Sequence, residues 1–261
     1  TGSSGASWDS KKWVEPYRDR ALVVRRYDLG EADRIIVLFT RDHGLVRGVA
    51  KGVRRAKSRF GSRLSPFVDV DVNIYPRRGL STIAGADTVR TWAAPLVDDY
   101  ARYTCACAVL DVAERIVGEE QVPAPELWDL TTQSLDDVAA GRHRPDLLLT
   151  SYILRAMAQA GWQPSLFECA GCGKAGPHHA FSPALGGAVC TNCRPPGADT
   201  PPTEVLHLMW QLAHEQWAGI DTSSSEFEGR MATARTLTAK YLQYYLGRRV
   251  PALEHVDAFW Q

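Results

Sequence analysis

Four of the six cysteines have the spacing of metal ligands. They form two Cys-x-x-Cys pairs that are separated by seventeen residues. A two-residue gap lets both thiolates of a pair point at one ion, and two pairs complete the tetrahedron that zinc takes in closed structural sites. The spacing therefore predicts one structural Zn²⁺ per chain. The predicted ligands are Cys169, Cys172, Cys190 and Cys193.

The residues around the pairs favour a zinc ribbon. Two short apolar stretches flank a Gly-Gly turn, and Gly173 is expected to adopt the positive φ of a tight knuckle. A redox dithiol is the alternative, but one pair would suffice for it. His178 and His179 are alternative ligands, although four well-spaced cysteines make them more typical of the ribbon surface. Cys105 and Cys107, one residue apart on a predicted helix, point in different directions and are expected in the core and on the helix surface.

Basic charge is concentrated in one stretch, the basic segment (residues 47–64). It contains seven basic and no acidic side chains, whereas the whole chain has 30 of each, so the remainder has a net charge of −7. Such segregation favours a directed site for a polyanion, with a solvated loop as the alternative. An aromatic residue inside the segment could stack on a nucleic-acid base or belong to a core. The candidate DNA-binding residues are Arg47, Lys51, Arg54, Arg55, Lys57, Arg59, Phe60 and Arg63.

Catalytic motifs are missing from the sequence. It contains no Walker A, G-x-G-x-x-G, G-x-S-x-G or H-E-x-x-H pattern. A four-cysteine zinc site leaves no open coordination position for a catalytic water. The adjacent acids at 98–99 and 136–137 lie on predicted helices and are interpreted as solvent-facing charge. We therefore expect a protein that is not an enzyme, with an unrecognised nuclease as the least favoured alternative.

The stretch from residue 17 to about 95 has the pattern of a small β-barrel. Apolar, β-branched runs at 34–40 and 45–50 flank a turn-forming Arg-Asp-His-Gly group and predict a hairpin. Residues 67–75 alternate strictly between apolar and polar, as a half-buried strand does. About five strands in some seventy-five residues suit an OB-fold barrel. The basic segment is then at least partly a loop on this barrel, and its glycines predict a mobile loop that orders in part when DNA binds.

Helical periodicity dominates after residue 95. It predicts helices at 96–118, 126–140 and 146–160, with a further helix that starts at a Thr203 cap and a last one in residues 228–249. The apolar run at 147–158 is interpreted as a buried helix, since it is too short and polar to span a membrane. The predicted fold class is α+β, an N-terminal OB-fold β-barrel followed by an α-helical domain with an inserted four-cysteine zinc ribbon.

The predicted domain plan has five parts. Residues 1–16 are typical of an expression tag, and residues 17–95 form the OB-fold DNA-binding domain. Residues 96–166 and 199–261 are the two parts of the helical domain, and residues 167–198 are the zinc ribbon. With no apolar signal core and no long apolar run, we expect a cytoplasmic, nucleoid-associated protein without a membrane partner.

Two stretches, residues 17–67 and 169–193, resemble the bacterial recombination mediator family RecO. The resemblance extends in overall plan over nearly all of the chain after the tag. It implies a protein that binds single- and double-stranded DNA, anneals complementary strands and works with RecR to load RecA onto strands covered by single-strand binding protein. It also implies an OB domain and basic surface that contact DNA, and in some members contact with the acidic tail of single-strand binding protein. The alternative function is an interaction scaffold that binds acidic peptide tails of partners.

Overall fold

The computed structural model describes residues 15–119, 121–253 and 256. The predicted expression tag lies outside the described residues, apart from Glu15 and Pro16. The chain forms two compact units. The barrel unit comprises the chain up to Thr40 together with Val46–Arg90, and the helical unit comprises Arg41–Leu45 and the chain from Thr91 onward. Within the described ranges, no helix has the length and apolar character needed to cross a membrane.

Five strands form the barrel unit, as the sequence predicts. They are β1 (Tyr17–Leu29), β2 (Asp33–Thr40), β3 (Gly44–Ala50), β4 (Val68–Tyr75) and β5 (Ser81–Thr91). The sheet closes on itself in the order β1-β2-β3-β5-β4. β1 pairs antiparallel with both β2 and β4, whereas β3 and β5 are parallel. This five-stranded closed barrel confirms the predicted OB-fold.

The alternation in β4 places its apolar residues in the barrel core, as expected, but one polar residue departs from the pattern. Asp69 is completely buried. Its two carboxylate oxygens accept hydrogen bonds from Arg20, at 2.5 and 2.6 Å, and from Arg90, at 3.0 Å. Because a buried charge must be paired, this carboxylate links β1, β4 and β5 through their side chains.

Six helices build most of the helical unit. They are α1 (Ala93–Val97), α2 (Tyr100–Val117), α3 (Pro125–Ala140), α4 (Pro145–Gln159), α5 (Thr203–Ala213) and α6 (Phe227–Leu246). α4 contacts α2, α3, α5 and α6. Eleven of its fifteen residues are buried, which confirms the predicted buried helix and makes α4 the centre of this unit's core.

The helix predicted over residues 96–118 is confirmed over Tyr100–Val117, but its predicted start is wrong. The helix is interrupted at Asp98 and Asp99. Asp99 is the N-cap of α2, and its carboxylate accepts a hydrogen bond from the backbone N–H of Arg102 at 3.0 Å. A side chain that satisfies an otherwise unpaired N–H favours a helix start over continuation. Tyr100, predicted on the buried stripe, follows this cap and is 62% exposed.

Three smaller predictions are also wrong. The N-cap of α5 is Pro202, so Thr203 is the first helical residue and gives no side-chain cap. Asp136 accepts a hydrogen bond from the indole N–H of Trp92 at 2.6 Å, and Asp137 pairs with Arg142. These two carboxylates therefore have structural partners and are not simply solvent-facing charge.

The ribbon lies between α4 and α5. Its two short strands, β6 (Ala180–Ser182) and β7 (Gly187–Val189), are antiparallel and are joined by one 3₁₀ turn. Gly186 closes that turn in the left-handed conformation. The two-stranded ribbon around a glycine turn is thus confirmed.

Candidate metal centre and nucleic-acid interface

The four predicted cysteine ligands converge. Their sulfur atoms all lie within 4.8 Å of one another, and the Sγ atoms of Cys172 and Cys190 are 3.8 Å apart. Four sulfurs at about 2.3 Å from a tetrahedral ion would be about 3.8 Å from each other. The cluster therefore fits a metal ion of this size, and all four thiols are free of disulfide bonds.

Tight knuckles bring the sulfurs together. Gly173 has φ +72°, as predicted, and its N–H donates to the carbonyl of Cys169 at 2.8 Å. Gly171 fits for a different reason, since a Cβ there would lie only 3.2 Å from the sulfur of Cys193. In the second pair, the N–H of Cys193 donates to the carbonyl of Cys190 at 3.1 Å. Each pair is thus folded so that both of its side chains face one point.

The backbone around the cluster stabilises thiolates. The N–H of Cys190 donates to the sulfur of Cys169 at 3.3 Å, and this bond, with further backbone donors, lowers the pKa of Cys169 to about 6. A backbone N–H of Cys193 likewise lowers the pKa of Cys190. The three neighbouring sulfurs raise the pKa of Cys193 to about 12. The neighbouring sulfurs thus oppose ionisation of Cys193, and a bound cation would remove this opposition.

His178, His179, Cys105 and Cys107 lie outside the cluster. His178, expected on the surface, is buried, and its Nε2 is 2.9 Å from the carbonyl oxygen of Lys174. His179 is exposed. Cys105 is buried in the core, where burial raises its pKa above the ordinary thiol value, and Cys107 is half-buried. The prediction for Cys105 is confirmed, Cys107 is only partly at the helix surface, and the prediction for His178 is wrong.

The basic segment begins on β3 with Arg47 and then continues as a series of turns to the start of β4. Three apolar side chains anchor it, since Val53, Phe60 and Leu64 are buried in the same core cluster as the strands. Its backbone is also attached to the β1–β2 turn. The N–H of Gly52 donates to Asp33 at 2.7 Å, and the N–H of Arg54 donates to the carbonyl of Ala32 at 3.0 Å. The segment is therefore a packed part of the barrel, with its apolar residues inside.

All seven basic side chains of the segment are exposed, and some of them also have structural contacts. Arg54 lies 3.5 Å from Asp28 and donates to the carbonyl of Gly30. Arg63 donates to the carbonyls of Arg59 and Ala86. Within the described part of the chain, no ion pair engages the side chains of Lys51, Arg55 and Lys57. These three are therefore the cations best placed to meet phosphates.

Phe60 is not available for stacking on a base. Only 1% of it is exposed, and the guanidinium of Arg59 lies 4.9 Å from its ring centroid. The hypothesis of a stacking platform at Phe60 is therefore wrong, and the core alternative is correct.

An exposed aromatic residue at this end of the barrel escaped the sequence analysis. Tyr27, near the end of β1, is 48% exposed. The neighbouring Arg26 donates to the hydroxyl of Ser65, just beyond the basic segment, at 3.1 Å. Tyr75 is similarly exposed but lies near the opposite end of β1, where Tyr17 pairs with Ile74. In the sequence, residues 25–27 (Arg-Arg-Tyr) place an aromatic side chain beside two cations, a pattern that could have indicated a nucleic-acid contact.

A closed barrel with a basic segment and a helical unit with a four-cysteine ribbon define a protein of two units. The chain matches the family model described as Recombination protein O N terminal over residues 14–92. It also matches the model described as Recombination protein O C terminal over residues 97–254. Together the two matches extend over most of the chain. The protein therefore belongs to the recombination protein O (RecO) family, which assigns it a role in DNA repair and recombination.

Proposed function

We propose that the protein is a non-catalytic mediator that binds single- and double-stranded DNA and anneals complementary strands. The observation that supports this most strongly is the basic segment, whose cations are exposed while its apolar residues are buried in the barrel. A cationic surface on a rigid support lowers the entropy that is lost when phosphates bind. Membership of the RecO family is consistent with this role.

Annealing follows from contacts that do not depend on sequence. Lys51, Arg55 and Lys57 would bind phosphates of either strand and reduce the repulsion between two backbones. Phosphate contacts leave the base edges open to pair with a complementary strand. Tyr27 would add a stacking surface for one exposed base, which also tolerates any sequence.

The metal in the ribbon is proposed to be Zn²⁺, one per chain, with a structural role. Cys169, Cys172, Cys190 and Cys193 would hold it, and four thiolates are the donor set that zinc prefers in closed sites. When bound, the ion supplies folding free energy to a module whose own core cluster contains only Cys169, Ala180, Val189 and Cys190.

The partners proposed from the RecO family are RecR, the tail of single-strand binding protein and, indirectly, RecA, in a cytoplasmic, nucleoid-associated setting. An acidic tail would suit the same exposed cations as DNA does. We therefore expect DNA and an acidic tail peptide to compete for the basic segment. Independent binding of the two would place the tail elsewhere and separate the two functions.

Fluorescence anisotropy with a labelled single strand tests the binding step. If about five of the seven basic side chains of the segment meet phosphates, the slope of log affinity against log salt is about −3.5. Binding that is indifferent to salt would contradict the proposal.

A strand-annealing assay with complementary oligonucleotides tests the activity itself. We expect faster annealing with the protein, intact strands after incubation with magnesium, and a loss of activity on chelation only if the ribbon supports the DNA-binding form. Shortened strands would instead indicate a nuclease.

A further inference from the structure

The helical unit has an open cleft between α3, α4, α5 and the chain that leads into the ribbon. The cleft consists of two adjoining depressions with volumes of about 760 and 620 Å³. Both are lined by Leu166, Phe167 and Trp210. Volumes of this size are typical of sites that hold a ligand or several side chains of a partner.

Phe167 is held in an exposed position by its neighbours. Its exposed fraction is 57%. Ser165 is fixed on the ribbon, since its N–H donates to the carbonyl of Gly186 at 2.9 Å, and its hydroxyl donates to the carbonyl of Glu168 at 2.6 Å. Because these hydrogen bonds hold the backbone beside it, the phenyl ring of Phe167 projects from an ordered segment toward solvent.

Trp210 is also fixed and exposed. It lies on the surface of α5 with 37% of its area exposed. The rings of His207 and His214 stack near it, with centroid distances of 6.0 and 4.6 Å. His214 is itself placed by a 2.8 Å contact between its Nδ1 and the carbonyl of Trp210. Two ordered aromatic rings in one cleft resemble the anchors around which protein interfaces concentrate their binding energy.

The rim of this cleft is acidic. Among the described residues that line it, the only lysine or arginine is Arg155, and its guanidinium is 2.7 Å from Glu215. Hydrogen bonds from backbone and from Thr203 lower the pKa of Glu204, which keeps that carboxyl charged. A rim of this sign repels nucleic acid and acidic peptides and attracts lysine and arginine. The acidic lining residues are Glu126, Glu168 and Glu204, together with Asp129, whose carboxylate already pairs with Arg41 at 3.2 Å.

We propose that this cleft binds an amphipathic protein segment that has apolar side chains on one face and lysine or arginine residues beside them. Its apolar face packs on Phe167 and Trp210, and its cations lie against Glu126 and Glu168. For neither of these carboxylates does the described part of the chain provide an ion pair. The inference goes beyond the proposed function, because it concerns the helical unit and a cationic partner, whereas the basic segment takes anions.

The test uses the full-length protein and a fluorescent peptide with leucine and tryptophan on one helical face and lysine on the other. We expect saturable binding that weakens with salt. Trp210→Ala should weaken it about tenfold, and Phe167→Ala should have an effect of the same kind. Tyr244→Ala is the matched control, since that tyrosine is 55% exposed on α6 and does not line the cleft.

The charge requirement has its own control. Glu126→Gln/Glu168→Gln should reduce both the affinity for the lysine peptide and its salt dependence, whereas Glu226→Gln, an exposed acid outside the cleft, should leave both unchanged. A peptide with glutamate in place of lysine should bind at least tenfold more weakly. Equal binding of that acidic peptide would overturn the proposal. So would unchanged binding by the Trp210→Ala and Phe167→Ala variants, or loss of DNA affinity in them.

Discussion

At the scale of single residues, burial decides which side chains can act. Phe60 lies within the basic segment but is 1% exposed, whereas Tyr27 lies outside it and is 48% exposed. The same distinction holds among the cations, since Arg54 and Arg63 have structural contacts, but Lys51 is exposed with no ion pair among the described residues. Residue type alone therefore could not separate side chains that stabilise the barrel from side chains that are available to bind DNA.

Two aromatic substitutions should have opposite effects. Phe60→Ala should lower the free energy of unfolding by about 3–5 kcal/mol, because it leaves a cavity in the barrel core. Tyr27→Ala should leave stability nearly unchanged and weaken single-strand binding by about 1–3 kcal/mol. Urea denaturation and anisotropy measure the two quantities. Tyr75→Ala, at the other end of β1, is the control, and an equal loss of affinity in it would contradict the role given to Tyr27.

Metal affinity should depend on pH through Cys169. Metal binding requires thiolates, and the lowered pKa, about 6 against an ordinary 9.0, keeps Cys169 ionised above that value. In the metal-free ribbon, the stabilisation from this thiolate is complete above the ordinary pKa and is lost as the pH falls to about 6. Chelator competition at a series of pH values should show apparent affinity falling more steeply below about 6. If the slope of apparent metal affinity against pH did not change near pH 6, the lowered pKa of Cys169 would be contradicted.

At the scale of elements, a buried ion pair holds the barrel strands in addition to their backbone hydrogen bonds. Asp69 on β4 contacts Arg20 on β1 and Arg90 on β5. The hydrogen bond to Asp69 is the main reason that the pKa of Arg20 is raised. The neighbouring pair of Asp71 and Arg18 links β4 to β1 on a more exposed side, with 40% and 61% of the two side chains accessible.

The two carboxylates therefore form a matched comparison. Asp69→Ala should lower the free energy of unfolding by about 1.5–3 kcal/mol, because it removes charge-assisted hydrogen bonds that a completely buried carboxylate accepts from two partly exposed guanidinium groups. Asp71→Ala, on the same strand, should cost about 1 kcal/mol or less, as exposed pairs do. Denaturant unfolding of both variants checks this. Similar losses of unfolding free energy in the two variants would contradict the view that burial of the carboxylate determines how much each ion pair stabilises the barrel.

Elements with a strong local pattern could be predicted from the sequence, and elements set by tertiary contacts could not. The alternation of residues 67–75 and the cysteine spacing predicted β4 and the metal cluster directly. The break before α2 was missed because Asp99 acts as an N-cap, which a periodicity count does not distinguish from a helical residue. The burial of Asp69 and His178 depends on partners that are distant in sequence or on local folding of the ribbon, and neither leaves a periodic signal.

At the scale of the whole molecule, the formal net charge of zero is the sum of a positive segment and a negative remainder. The basic segment has seven positive side chains and the rest of the chain a net −7. The barrel unit presents the cations, and the helical unit presents an acidic cleft with two exposed aromatic rings. Charge of opposite sign on different units lets one chain address polyanions and cationic segments at separate sites.

The central claim is that the exposed cations of the basic segment bind DNA backbone. Salt titration of single-strand binding by the triple variant Lys51→Ala/Arg55→Ala/Lys57→Ala tests it most directly, with Arg77→Ala/Arg78→Ala as the control on the β4–β5 turn. Removal of three phosphate contacts should change the log-log slope from about −3.5 to about −1.4, with no large change in melting temperature, while the control keeps the wild-type slope. An unchanged slope in a folded triple variant would contradict the claim.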